Sequence, residues 1–194
     1  MKIGVLAVQG DFEAHGGMLV RLGAEPVYVR APEQLEGLEG LIIPGGESTT
    51  MLKFLEGEGL FDAIRSFAGR RPVLGTCAGA ILMANEVARP AQRSLGLMDI
   101  AIERKAYGRQ VDSHIASVAP LADFTERTEP GPLEAVFIRA PIIRRVGPEA
   151  RVLLRHDDDP ILVEQGPHLA ATFHPELTSD TRVHGLFLRK AAKQ

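Results

Sequence analysis

The sequence predicts an α/β protein with a mostly parallel central sheet, covered by helices on both faces, and with mixed or antiparallel strands added along one side. Three observations carry this. The first half alternates continuous apolar runs with helical stretches, the pattern of strands buried on both faces. Those runs end in polar or glycine-rich turns, as the carboxyl ends of parallel strands do. The second half changes to short β-like runs joined by turn-rich segments, which suits antiparallel pairing. A length of 194 residues fits one domain spanning 1–194, with no linker long enough to divide it.

Taken in order, Ile3 to Val8 reads as the first strand. The apolar stretch there is too short for a membrane span, and no signal-cleavage pattern follows. An amphipathic helix covers Phe12 to Leu22, followed by strands at Pro26 to Val29 and Leu41 to Ile43. The turn Pro44-Gly45-Gly46-Glu47-Ser48-Thr49-Thr50 has glycines that permit a ligand to approach the backbone, then Ser and Thr suited to cap a helix. It lacks the Lys of a phosphate loop, which disfavours nucleotide hydrolysis. Val73-Leu74 is the next strand and runs into Gly75-Thr76-Cys77-Ala78-Gly79. Short runs follow at Ile100 to Glu103, Ile115 to Val118, Ala135 to Ile138, Val152 to Leu154, Ile161 to Val163 and Leu169 to Phe173. A helix from about Arg182 to Ala192 closes the chain. Open parallel sheets bind ligands beyond the carboxyl ends of their strands, so Gln9-Gly10-Asp11, the Gly45-Gly46 turn and the Cys77 turn should meet at one site.

Hydrophobic residues make up 45% and charged residues 24%, an ordinary globular balance. The net charge of -3, from 22 Lys and Arg against 25 Asp and Glu, argues against a surface built for nucleic acid. One cysteine allows no internal disulfide, and a reactive thiol survives best in the reducing cytoplasm.

That cysteine is the chain's chemical signature. A nucleophile on a sharp strand-to-helix turn crowds the residues two away on either side, and here both, Gly75 and Gly79, lack a Cβ. The turn aims the Ala78 N–H at the space before the sulfur, where an oxyanion would form, and the following helix N-terminus favours the thiolate. A thiol needs a base, and the base an orienting group. His174 ends an apolar run and is held extended by Pro175. Residues two apart in an extended segment share a side, so Glu176 can reach the far imidazole nitrogen. Of the other histidines, His15 reads as a partly buried polar residue on the first helix, and His114, His156, His168 and His184 as surface or packing residues. A single cysteine and scattered histidines lack zinc-ligand spacing, so no metal is expected.

The elbow at Cys77 with the distal His174-Pro175-Glu176, in the order Cys, His, Glu, resembles the class I (triad) glutamine amidotransferases. More narrowly, six blocks are similar to the glutaminase subunits of pyridoxal 5'-phosphate synthases. They are Gln9-Gly10, the Pro44–Thr50 turn, Glu103-Arg104, Gly108-Arg109-Gln110-Val111-Asp112-Ser113, Phe137-Ile138-Arg139-Ala140-Pro141, and Phe173-His174-Pro175-Glu176-Leu177-Thr178. Their order along nearly the whole chain is specific, although each alone is weak. The resemblance implies a three-layer flavodoxin-like fold in which Cys77 attacks the side-chain amide of L-glutamine, His174 passes the proton to ammonia, and Glu176 orients His174. It implies that Gly46, Glu47, Ser48, Arg104, Ile138 and Arg139 hold glutamine, that Gly46 and Ala78 form the oxyanion hole, and that no cofactor is carried. It further implies delivery of ammonia to a (β/α)8-barrel synthase subunit within a large hetero-oligomer, with no nucleic acid or membrane partner. Two positions depart from the pattern: Ala80 stands where a larger apolar residue is frequent, and His114 where an aromatic is. The competing readings are a glutaminase for a different synthase, a cysteine peptidase, and a catalytically silent flavodoxin-like interaction protein with Cys77 as a redox sensor.

Overall fold

The computed structural model describes residues 1–104 and 113–193, so residues 108–112 of the block noted above lie outside the described residues. The first half runs β1 (Lys2–Leu6), α1 (Phe12–Arg21), β2 (Glu25–Val29), β3 (Gly40–Ile43), α2 (Ser48–Gly57), α3 (Leu60–Ala68), β4 (Val73–Thr76), α4 (Ala78–Met83). The second half runs β5 (Ala84–Ala88), β6 (Met98–Glu103), β7 (Ser113–Val118), α5 (Ala122–Thr125), β8 (Leu133–Ile138), β9 (Ile142–Val146), β10 (Arg151–His156), β11 (Asp159–Gln165), β12 (His168–Ala171), α6 (Arg182–Ala191).

Seven strands form the central sheet in the order β10-β11-β12-β4-β3-β1-β2. The five from β12 to β2 are parallel, and β11 and β10 extend the β12 edge antiparallel. Side chains alternate across the sheet as strand geometry requires. Leu41, Ile43 and Val73 pack on the face covered by α2, α3 and α4, whereas Ile42 and Leu74 pack on the face of α1 and α6. Both faces are therefore dry, which is why these strands read as unbroken apolar runs. No helix among the described residues is long and apolar enough to cross a membrane.

The expectation that the later strands join one side of the sheet holds for β10 to β12 and fails for the rest. β7 and β8 form a separate antiparallel pair, and β5, β6 and β9 a separate three-stranded sheet. Two of these strands carry no alternating apolar signal. β5 reads Ala-Asn-Glu-Val-Ala and β9 Ile-Ile-Arg-Arg-Val, and charge helps to hold them: Arg145 of β9 reaches Glu86 of β5 and Asp99 of β6, each at 2.8 Å.

Register sets the site. Ile43 of β3 pairs with Gly75 of β4, and Thr76 of β4 with Ala171 of β12. The three carboxyl ends are thus level and adjacent, and the segments leaving them carry Gly45-Gly46, Cys77 and His174.

Candidate active site

Cys77 sits at the turn from β4 into α4 with φ 49° and ψ -106°, a positive φ that side-chain-bearing residues avoid at a cost of about 1–3 kcal/mol. Its own N–H donates to the Ala171 carbonyl at 2.8 Å, which continues the β4–β12 ladder one residue beyond the strand and locks the turn. The flanking glycines are sterically required. A Cβ on Gly79 would overlap the Ile43 carbonyl oxygen, and one on Gly75 would lie 2.6 Å from the Gly79 backbone and the Met83 Sδ. Ala78 opens α4, which leaves its N–H outside the helix's own ladder beside the sulfur.

His174 follows β12 and its N–H donates to the Val136 carbonyl of β8 at 2.8 Å. Its Nδ1 lies 2.7 Å from Glu176 Oε1, and both side chains are buried. Because a carboxylate only accepts, the proton is on Nδ1 and the other ring nitrogen serves Cys77. Burial works against a charged ring here, but hydrogen bonds to Cys77 and Glu176, together with their charges, outweigh it and raise the His174 pKa to about 10. That environment favours the imidazolium form of His174. The Cys77 Sγ also lies 4.0 Å from the Ile138 carbonyl oxygen at the end of β8, and Arg139 next to it takes φ 46°.

The glycine turn after β3 closes the third side. A Cβ on Gly45 would come within 2.6 Å of His174 Cε1 and 3.4 Å of Cys77 Cβ, so only glycine lets this backbone lie against both. The Gly45 carbonyl lies against Gly10, which has φ 79°, and Gln9 Oε1 accepts the Glu47 N–H at 2.8 Å. The three turns expected to converge do so. Gly46, with φ 149°, faces Gln9 and Met51 with its α-carbon, and Gly45 is the residue packed on Cys77 and His174.

The remaining glutamine-binding candidates form a second polar cluster at the start of α2. Glu47 caps that helix, accepting from the Thr49 and Thr50 N–H groups at 3.1 and 2.8 Å. Burial opposes its ionisation, but those two N–H groups, Thr50's first, and the threonine hydroxyls overcome this and hold its pKa at about 2. Arg104 Nη2 donates to Thr49 Oγ1 at 2.7 Å and reaches Glu47 Oε1 at 3.3 Å. Ser48 is buried and its hydroxyl donates to Gln92 Oε1 at 3.0 Å. The Glu47 and Ser48 side chains thus shape the helix start, and Gln92 is a member of the cluster that no sequence pattern marked.

One histidine, His15, departs from expectation, being fully rather than partly buried. His15 and His184 are fully buried, and their rings meet behind Glu176: His15 Nδ1 is 2.9 Å from His184 Nε2, and His15 Nε2 is 3.4 Å from Glu176 Oε2. The signal was present in the spacing, since His15 shares the buried stripe of α1 with Met18 and Leu19, and a polar group in such a stripe needs partners. His114 stacks on Phe137 at 4.8 Å between ring centroids, and His156 on the same ring at 5.3 Å, so the imidazole at 114 does the packing of an aromatic. Among the described residues, Asp11, His174 and Glu176 are the one group of three whose ligand-type atoms lie within 4.8 Å of one another, and the 2.7 Å bond already engages two of them.

Known proteins resemble this chain over nearly its whole length. The family model described as the SNO glutamine amidotransferase family matches residues 5–193. A pyridoxal 5'-phosphate synthase subunit PdxT from Solibacter usitatus (strain Ellin6076) is 64% identical over 189 residues, covering 97% of this chain and 98% of the relative. A protein of the same description from Koribacter versatilis (strain Ellin345) is 55% identical over 190 residues, covering 97% and 95%. Among solved structures, a glutamine amidotransferase superposes with a TM-score of 0.88 at 46% identity over 98% of each chain. PurLQS from Thermotoga maritima, at 18% identity and a TM-score of 0.77 over 97% of each chain, shares the fold. With its fold, its cysteine elbow and a family match over nearly its whole length, this chain belongs to the SNO glutamine amidotransferase family.

Proposed function

We propose that the chain, acting as one domain over 1–194, hydrolyses L-glutamine to L-glutamate and ammonia for pyridoxal 5'-phosphate synthesis, with Cys77, His174 and Glu176 as its triad. The observation that carries this is the level alignment of the β4 and β12 ends, which puts a strained cysteine beside an imidazole whose far nitrogen is tied to a carboxylate at 2.7 Å.

The thiolate of Cys77 attacks the side-chain carbonyl carbon of glutamine. The negative charge that builds on the oxygen is met by the Ala78 N–H and, once oriented, the Gly46 N–H. The imidazolium of His174 gives its proton to the departing nitrogen, the C–N bond breaks, and ammonia leaves a thioester on Cys77. His174, now neutral, takes a proton from water as it attacks the thioester. Glutamate departs and the thiolate–imidazolium pair is restored. Glu176 keeps the Nδ1–H tautomer throughout. Arg104, Arg139 and the backbone of Gly46 to Ser48 and Ile138 hold the ends of glutamine, a cation and N–H groups suiting its α-carboxylate.

The ammonia passes to a (β/α)8-barrel synthase subunit in a hetero-oligomer in the cytoplasm. Similarity to proteins described as pyridoxal 5'-phosphate synthase subunits supports that partner. The Gly45-Gly46 peptide is the element able to turn an N–H into the oxyanion site when the partner docks, since two glycines rotate at little steric cost. Identical peptide orientation in the free and complexed chain would refute that switch. Glutamate release from L-glutamine, measured for the chain alone and with the synthase subunit, tests the whole reading. Strong stimulation is expected, and no release under either condition overturns it.

A further inference from the structure

We infer that His15 is a positioning residue of the triad, its Nε2–H serving as the second donor to Glu176 and so fixing the carboxylate that orients His174. The inference rests on the triad reading above and extends it by one shell.

Glu176 is fully buried at its side chain, yet its two oxygens are unequally served. Oε1 accepts from His174, while Oε2 has no hydrogen-bond partner among the described residues and lies 3.4 Å from His15 Nε2. The His15 ring is itself fully buried, with Nε2 3.1 Å from Thr76 Oγ1 and Nδ1 2.9 Å from His184 Nε2. Proton placement then follows from which atoms can only accept. If His15 carried its proton on Nδ1, its Nε2 lone pair would face the carboxylate oxygen. With the proton on Nε2, that N–H bonds Thr76 Oγ1 at 3.1 Å and offers its positive end to Glu176 Oε2 at 3.4 Å, and Nδ1 accepts from the Nε2–H of His184. The remaining His184 nitrogen, Nδ1, is then a bare acceptor, which matches its burial without a hydrogen-bond partner among the described residues.

All hydrogens in this chain point one way, from His184 to His15 to Glu176, and from His174 to the opposite carboxylate oxygen. Thr76 immediately precedes the nucleophile, so His15 touches both the carboxylate and the elbow. Burial first, then the charges of His184 and His174, keep His15 neutral, and burial with the charge of Arg21 lowers His184 to about 4. The charged and titratable groups around His15 are thus Glu176 and His174 beyond β12, His184 on α6, Arg21 on α1, and Asp11, which lies close to His174 and Glu176. A neutral donor stabilises ionised Glu176 without adding a charge that would compete with the His174 imidazolium.

The test compares His15→Gln, whose amide can donate from near the Nε2 position, with His15→Met, of similar size but without a donor. Both are assayed as the full chain with the synthase subunit. His15→Met should lower kcat about 10- to 100-fold with the KM for glutamine within about twofold. His15→Gln should restore most of kcat. Equal behaviour of the two variants at equal thermal stability means packing alone and overturns the inference. Nitrogen NMR of the unaltered chain provides a second reading that needs neither variant nor turnover: His15 must be the Nε2–H tautomer, and the Nδ1–H tautomer overturns the proposal. An unaltered chain that shows the Nε2–H tautomer but never hydrolyses glutamine sinks the proposed function and leaves the hydrogen-bond chain standing.

Discussion

Acidification from pH 7 to pH 5 should cost the native state about 2 kcal/mol through His168 alone. This residue opens β12, where its Nδ1 accepts the Val73 N–H at 3.1 Å from the neighbouring β4. Burial, helped by the charge of Lys190, lowers its pKa from 6.5 to about 4. The folded ring stays neutral while the unfolded chain takes up a proton near 6.5, so the stabilisation is complete above pH 6.5 and drains away as pH falls towards 4. Protonation also replaces the lone pair that serves Val73 with an N–H, leaving a ladder donor unmatched. Urea unfolding at both pH values, for the unaltered chain and for His168→Asn, isolates the effect. The Asn Oδ1 can take the place of the accepting nitrogen and does not titrate, while His15 and His184 contribute alike to both proteins and cancel. The pH-dependent loss should be smaller in His168→Asn by about 2 kcal/mol. Identical losses would mean that His168 titrates normally when folded, and the burial reasoning would fail.

Other consequences follow from the site. Cys77→Ala and His174→Ala should each reduce glutamate release by at least about 10³-fold while leaving the unfolding transition in place, and an active alanine variant at either position would overturn the mechanism. Glu176→Gln should lower kcat by about 10²- to 10⁴-fold through the wrong tautomer at His174, whereas a redox-sensing scaffold would be indifferent to it. Gly79→Ala drives a methyl into the Ile43 carbonyl and should destabilise by about 1–3 kcal/mol or more in chemical denaturation; unchanged stability would show that the elbow relaxes. Arg104→Gln should raise the KM for glutamine about tenfold, with kcat less affected, and a normal KM counts against its binding role.

Local chemistry made much of this legible. The glycines around Cys77 answer to backbone sterics over five residues, and the His174–Glu176 pair to strand geometry over three, so both show in short windows of sequence. The same is true of β1, β3 and β4, whose burial on both faces writes an unbroken apolar run. β5 and β9 left no such trace because charge across strands helps to hold them, and a cross-strand ion pair has no period along the chain. Glu47 and Ser48 were legible as a loop near the site, whereas the turn of their side chains towards Thr50, Thr49 and Gln92 depended on the packing of α2.

His15 marks the boundary most clearly. Its partners Thr76 and His184 lie 61 and 169 residues away in sequence. They meet only because β12 inserts beside β4 and because α1 and α6 cover the same face of the sheet. Backbone sterics and side-chain period, which act over a few residues, marked the central strands, the turn at Cys77 and the pairing of His174 with Glu176. The burial that neutralises His15, and the donor it brings to Glu176, arose when segments from the two ends of the chain were packed into one water-free layer, where every proton must find a neighbour.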